Sequence, residues 1–156
     1  MRQLKSGGSE SPAKLTELKF IVSAAVDRCS AKKPVPTLYV NGVDASIAVS
    51  VEEFIMVLAH LVGNAQDASN SDGVVSVSLH QSDGTVTITI DDNGAGMTEE
   101  FVRDRLFRPF DSTKGAQGMG IGAYQAREYI RQIGGRLEVS SVPDKGTTFV
   151  IRIPLA

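Results

Sequence analysis

The stretch VSVSLHQSDGTVTITIDD, residues 75–92, carries the alternation that decides the fold. Val75, Val77 and Leu79 take every second position against Ser76, Ser78 and His80, and Val86, Ile88 and Ile90 alternate in the same way with Thr87 and Thr89. A side-chain period of two puts each apolar set on one face of a strand. Ser82-Asp83-Gly84 supplies a turn between the two runs, so the pattern predicts an antiparallel hairpin with one face buried. An apolar face of that size needs a cover.

The flanking segments provide it. Ser50, with Glu53 three residues on, has the form of a capping box and predicts a helix from about Val51 to about Ala68. Phe54, Leu58, Leu61, Ala65 and Ala68 fall on one side of that helix, which is its expected core contact. His60, Asn64 and Asp67 fall together on a polar stripe beside it, where a site could be built. Upstream, Leu15, Leu18, Ile21, Val22, Ala25 and Val26 predict an earlier amphipathic helix. Pro34 and Pro36 end it, and Thr37 to Val43 reads as a short strand. Downstream, a glycine-rich turn from Asp92 to Met97 leads to a short helix with Thr98 as its N-cap. An irregular stretch runs to Gly118, and a helix from about Gly120 to Ile133 is stopped by Gly134-Gly135. Strands around Leu137 to Ser140 and Thr147 to Ile153 meet across Pro143-Asp144-Lys145-Gly146. Hairpins interspersed with helices predict an α+β fold, a two-layer α/β sandwich whose mixed, mostly antiparallel sheet is covered on one face by helices.

At 156 residues and 42% apolar content, the chain suits one domain. The run SGGSES predicts residues 1–11 to be a flexible lead-in, leaving 12–156 as the domain. The 16 basic and 18 acidic residues are interspersed, so no basic stripe is available to neutralise a nucleic-acid backbone. Cys29 is the single cysteine and no Cys/His cluster has zinc spacing, which together point to a cytoplasmic setting. No apolar run approaches the roughly 20 residues that cross a bilayer. A membrane anchor of the parent protein would lie outside this chain.

Gly118-Met119-Gly120-Ile121-Gly122, opening a helix, has a direct physical use: glycines let backbone N–H groups approach phosphate oxygens, and the helix N-terminus favours negative charge. It is neither a dinucleotide fingerprint, which needs a parallel βαβ unit, nor a P-loop, since no Gly-Lys-Ser/Thr occurs. Asp92-Asn93-Gly94-Ala95-Gly96, taken alone, reads equally well as an ordinary loop.

The order of four elements is more specific than any one of them. His60-Leu61-Val62-Gly63-Asn64-Ala65, Asp92-Asn93-Gly94-Ala95-Gly96-Met97, Leu106-Phe107-Arg108-Pro109-Phe110 and Gly118-Met119-Gly120-Ile121-Gly122 resemble, in order and spacing, the N, G1, F and G2 boxes of sensor histidine kinases. The chain is therefore similar to their catalytic ATP-binding domain, of the GHKL superfamily with its Bergerat fold. The resemblance extends from about Leu15 to Pro154, and the run Arg108 to Gly115 followed by Gly118 to Tyr124 looks most like the PrsK-type kinases.

The resemblance implies Mg-ATP as the nucleotide, with Asn64 as the Mg²⁺ ligand and Asp92 as acceptor for the adenine amino group. Gly94 and Gly96 would let the backbone pass close to the base, and Met97 would be an apolar wall. Lys114 becomes a phosphate clamp and Gly118, Gly120 and Gly122 a closing loop. The resemblance also places Asp67, Phe107, Phe110, Thr113, Met119, Ile121 and Thr148 among the nucleotide-binding residues. The segment Asp111 to Met119 is expected to be mobile until phosphates order it. His60 stands where most kinases have asparagine and the hydrolytic relatives have a water-activating glutamate, which favours transfer to a protein side chain over fast hydrolysis. Its own role, catalytic or packing, stays open at this point. The implied reaction is γ-phosphoryl transfer to a histidine on a separate dimerisation and phosphoacceptor domain, with a response regulator as the indirect partner. The alternatives are an anti-sigma-factor-type serine kinase of the same superfamily and a non-catalytic ATP-binding docking module.

Overall fold

The computed structural model describes residues 13–108 and 122–155. Two strands, β1 (Lys14–Glu17) and β3 (Ser46–Val49), pair antiparallel as a small ribbon. The main sheet has five strands in the order β2-β4-β5-β7-β6, formed by β2 (Thr37–Asn41), β4 (Val75–Ser82), β5 (Thr85–Asp92), β6 (Arg136–Val142) and β7 (Gly146–Pro154). Only β2 runs parallel to its neighbour, β4; the other pairings are antiparallel. Helices α1 (Leu18–Arg28), α2 (Val51–Asp67), α3 (Glu99–Asp104) and α4 (Ala123–Gln132) complete the described chain.

The predicted hairpin forms with Val75, Val77, Leu79, Val86, Ile88 and Ile90 all buried. Asp83 and Gly84, both at positive φ, make its two-residue turn, whose handedness matches the twist of the strands. Ile151 and Ile153 of β7 extend the same apolar face, and α2 lies across it between α1 and α4. Phe54 of α2 meets Tyr129 of α4 with ring centroids 5.6 Å apart. This is the two-layer, mixed-sheet architecture expected. None of the described helices is long and apolar enough to cross a membrane.

Three local expectations are corrected. Leu15 does not continue the first helical stripe; it lies in β1 and is 76% exposed, and α1 begins at Leu18. Pairing with Ser46–Val49 takes the backbone of residues 14–17 into a ladder, and that long-range partner has no signature in local periodicity. The strand read as Thr37 to Val43 ends at Asn41, because Gly42 at φ +62 turns the chain toward β3. At the start of α2 the Ser50 side chain makes no cap hydrogen bond, whereas Thr98 Oγ1 does accept from the Phe101 N–H at the start of α3.

Behind α2, Gln66 turns away from the polar stripe into the core side. Its Nε2 donates to the carbonyls of Cys29, Lys32 and Pro34, which ties the α1–β2 connection to the end of α2. Lys32 is thereby positioned to pair with Asp67.

Candidate functional site

A cleft of about 580 Å³ opens where the C-terminal half of α2 meets the end of β5, the turn after it, and the start of α4. His60, Asn64 and Asp67 all line it, so the polar stripe read from the sequence faces one cavity. The reason is geometric. Phe54, Leu58, Leu61 and Ala65 commit one side of α2 to the core, and the side one turn round from them is left at the mouth of the cleft. Ala68, expected on the core face, is exposed and also lines the cleft. Asp67 sits at the rim, paired with Lys32.

Asp92 forms the floor. It is the last residue of β5, 7% exposed, and its Oδ1 accepts from Gly94 N at 2.8 Å and from Thr147 N at 3.3 Å. Among the described residues nothing bonds its Oδ2. Burial pushes its carboxyl above the ordinary 3.8; the two N–H groups oppose that, and the charge of Asp91 adds to it. A half-satisfied, water-poor carboxylate at a cavity floor is costly to the fold and is an acceptor aimed at something else.

The turn after Asp92 is built by close approach. A Cβ on Gly94 would collide with the carbonyl of Ala68, the same carbonyl that accepts from Ala95 N at 2.9 Å. Gly94 therefore seats the turn on the end of α2; it does not line the cleft, whereas Gly96 and Met97 do. Gly96 has φ +71 and lies against the carbonyl of Val142, so it needs glycine twice over.

Thr148, expected at the nucleotide, is corrected. Its Oγ1 bonds the carboxylate of Asp91 on the open face of the sheet, and it does not line the cleft. The threonine facing the cleft is Thr147, which pairs with Asp92 across β5 and β7. Successive residues of a strand point to opposite faces, so a match displaced by one residue selects the wrong side. Thr147 Oγ1 lies 2.7 Å from Ser141 Oγ, and Ser141 in turn accepts from Met97 N at 2.7 Å. Both residues were missed from the sequence. Strand pairing brings them to Asp92, Thr147 lying beside Asp92 and Ser141 beside Thr147.

That chain of hydroxyls predicts a modest, local effect. Ser141→Ala removes the acceptor for the Met97 N–H, so it should destabilise the free protein by about 0.5–1.5 kcal/mol. Amide exchange at Met97 should quicken more than in β4. Unchanged exchange there would mean that the hydroxyl does not hold the turn.

The far wall is formed by Phe101 and Leu106, and the near wall by Gly122 and Ala123 at the start of α4. The Gly122 N–H donates to Gln125 Oε1 at 2.7 Å. Phe107 lies beside this wall under the guanidinium of Arg127 and does not itself line the cleft. Phe110, Thr113, Lys114, Gly118, Met119, Gly120 and Ile121 lie outside the described residues, as does the expected mobile segment. Among the described residues no group of three or more His, Cys, Asp or Glu side chains is placed to hold a metal ion unaided.

Known proteins share both the sequence and the fold of this region. The family described as histidine kinase-, DNA gyrase B- and HSP90-like ATPase matches residues 50–156. The C4-dicarboxylate transport sensor protein DctB of Rhizobium meliloti (strain 1021) is 36% identical over 102 residues, covering 64% of this chain and 16% of that protein. Sensor histidine kinase ZraS of Escherichia coli (strain K12) is 33% identical over 109 residues, covering 70% of this chain and 23% of that protein. The chain thus spans about a fifth of the curated relatives' length. Among solved structures, the nucleotide-free catalytic domain of histidine kinase ThkA superposes with a TM-score of 0.77 at 20% identity, covering 92% of this chain and 96% of that one. ThkA in complex with the response regulator TrrA superposes with a TM-score of 0.75 at 19% identity, covering 92% of this chain and 42% of that one. The matched span includes the whole of α2, Asp92 and the start of α4, the elements that build the cleft, and the chain belongs to the family of histidine kinase-, gyrase B- and HSP90-like ATPases.

Proposed function

We propose that the cleft binds Mg-ATP and that the domain transfers its γ-phosphoryl group to a histidine on a separate dimerisation and phosphoacceptor domain, in two-component signalling on the cytoplasmic side. The observation that carries the reading is Asp92: a buried carboxylate at the floor of the cleft, with one oxygen held by two backbone N–H groups and the other without a described partner. Such an acceptor suits the exocyclic amino group of adenine and opposes guanine, which presents a carbonyl there. Met97 beside it supplies an apolar side for the base.

Asn64 stands at the other side of the same cleft, and its amide oxygen is a suitable donor for a hard cation. Mg²⁺ held by that amide would take its remaining oxygens from the nucleotide phosphates and water. Bound there, the cation would neutralise charge on the phosphoryl group being transferred. The residues of the chain position and neutralise: Asp92 fixes the base, Asn64 the cation, and the N–H groups at the start of α4 the phosphates. His60, one turn before Asn64 on the cleft side of α2, is assigned the positioning of the incoming nucleophile; a glutamate that would activate water is absent from that position.

The acceptor is supplied by a partner. His60 is in the cleft and His80 is exposed on β4, and neither lies on a helix bearing the acidic and basic neighbours of a phosphoacceptor site. A response regulator would then receive the phosphoryl group from that histidine. ThkA, which shares the fold, was solved with one.

The test is phosphotransfer in trans. The chain, radiolabelled ATP and Mg²⁺ are mixed with a helical-hairpin domain carrying its histidine, or with the same hairpin in which that histidine is replaced by glutamine. Acid-labile label on the intact hairpin alone is expected. Label on serine, or no nucleotide binding at all, would overturn the reading.

A further inference from the structure

Arg127, on the second turn of α4, is not among the residues that line the cleft, yet its environment is unusual. Its guanidinium carbon stands 4.3 Å from the centre of the Phe107 ring. Among the described residues its buried Nε has no hydrogen-bond partner, and its nearest described counter-charge is Glu128 Oε2 at 4.0 Å. A half-buried cation that gives up solvation at Nε and forms only a marginal ion pair must be retained by its contact with the ring. That contact joins two walls. Phe107 follows Leu106, which lines the far wall, and Arg127 lies one turn beyond Gly122 and Ala123, which line the near wall.

We infer that Arg127 is a positioning residue: by stacking on Phe107 it sets the spacing between the Phe101–Leu106 wall and the start of α4, and so tunes the phosphate end of the nucleotide site. The inference rests on the functional reading above. The effect falls on the phosphate half because Arg127 sits on α4, whose start is read above as the phosphate contact, whereas Asp92 is held separately by the N–H groups of Gly94 and Thr147. Arg127 touches no substrate in this arrangement. Its influence passes through the ring.

The experiment is a double-mutant cycle on the full chain, read by calorimetric titration with Mg-ATP and with adenosine. Arg127→Ala should weaken Mg-ATP binding roughly two- to fivefold, the size of a partly exposed cation–π contact, and leave adenosine affinity within error. In a Phe107→Leu background the same substitution should cost nothing further, because the partner ring is gone. In a Phe107→Tyr background, which keeps a ring, it should cost what it costs in the unmodified chain. Hydrogen exchange without nucleotide gives an independent readout: amides at Leu106 and Phe107 should exchange faster in Arg127→Ala, with β4 and β5 unchanged. Equal loss of adenosine and Mg-ATP binding, additive costs in the Phe107→Leu background, or unaltered exchange at Leu106 would overturn the inference while leaving the site assignment standing. An unmodified chain that binds neither ligand would overturn the functional reading, and this one with it.

Discussion

Asp92→Asn is expected to lower Mg-ATP affinity by about 1.5–3 kcal/mol, tenfold or more, the usual worth of a hydrogen bond to a charged group. The free protein should melt no lower than the unmodified chain. Both halves follow from the same geometry. The amide oxygen can take the place of Oδ1 and keep the N–H groups of Gly94 and Thr147, which puts an NH₂ donor where Oδ2 faces the cleft. Two donors then meet when adenine binds. Meanwhile the fold loses a charge that burial disfavours. Because the folded-state carboxyl titrates above the ordinary 3.8, the folded protein binds the proton more tightly than the unfolded chain. Stability from the protonated form is present at acid pH and is lost as pH rises through the raised value. Above that window the ionised group opposes folding, and the amide removes the cost. Nucleotide affinity of the unmodified protein should decline at the acid end of the same window, as the acceptor is protonated. Calorimetric titration and thermal melting check the two halves together. An Asp92→Asn variant that binds ADP normally would refute the adenine assignment, and one that melts much lower would show that the carboxylate is structural.

Asn64→Ala separates the cation from the base. The variant should bind Mg-ATP at least tenfold more weakly, while ATP in the presence of a chelator and adenosine bind as before, since the lost group is a metal ligand. Half-buried at the cleft, Asn64 contributes no apolar surface to the core, so the melting temperature should shift little. His60→Ala in the same helix should change the rate of phosphotransfer more than the affinity. If adenosine and Mg-ATP binding fall together in Asn64→Ala, the side chain is holding the cleft open and is not a cation ligand.

Much of this protein is determined by the local sequence. The alternation in residues 75–92 specifies a half-buried hairpin because a period of two admits no other apolar face, and it appears as an antiparallel pair whose turn narrows from the expected Ser82-Asp83-Gly84 to the two residues Asp83-Gly84. The stripe His60, Asn64 and Asp67 could be read for the same reason: helical spacing alone places them one turn apart, and the apolar face of α2 decides which way they look. The α+β class and the order of the four motifs were legible at that level.

What needed the tertiary structure has a common cause, the meeting of residues far apart in the chain. Lys14–Glu17 becomes a strand because Ser46–Val49 lies alongside it, and no local period announces that partner. Gly94 was read as leaving room for a ligand, yet the room is taken by the Ala68 carbonyl at the end of α2. Thr147 rather than Thr148 faces the cleft because pairing with Asp92 sets which side of β7 is inward, and adjacent strand residues differ by a full change of face. The contact between Arg127 and Phe107 likewise exists only once α4 is folded against the wall that carries Leu106. Periodicity fixes which face a side chain is on, and only packing decides what that face meets.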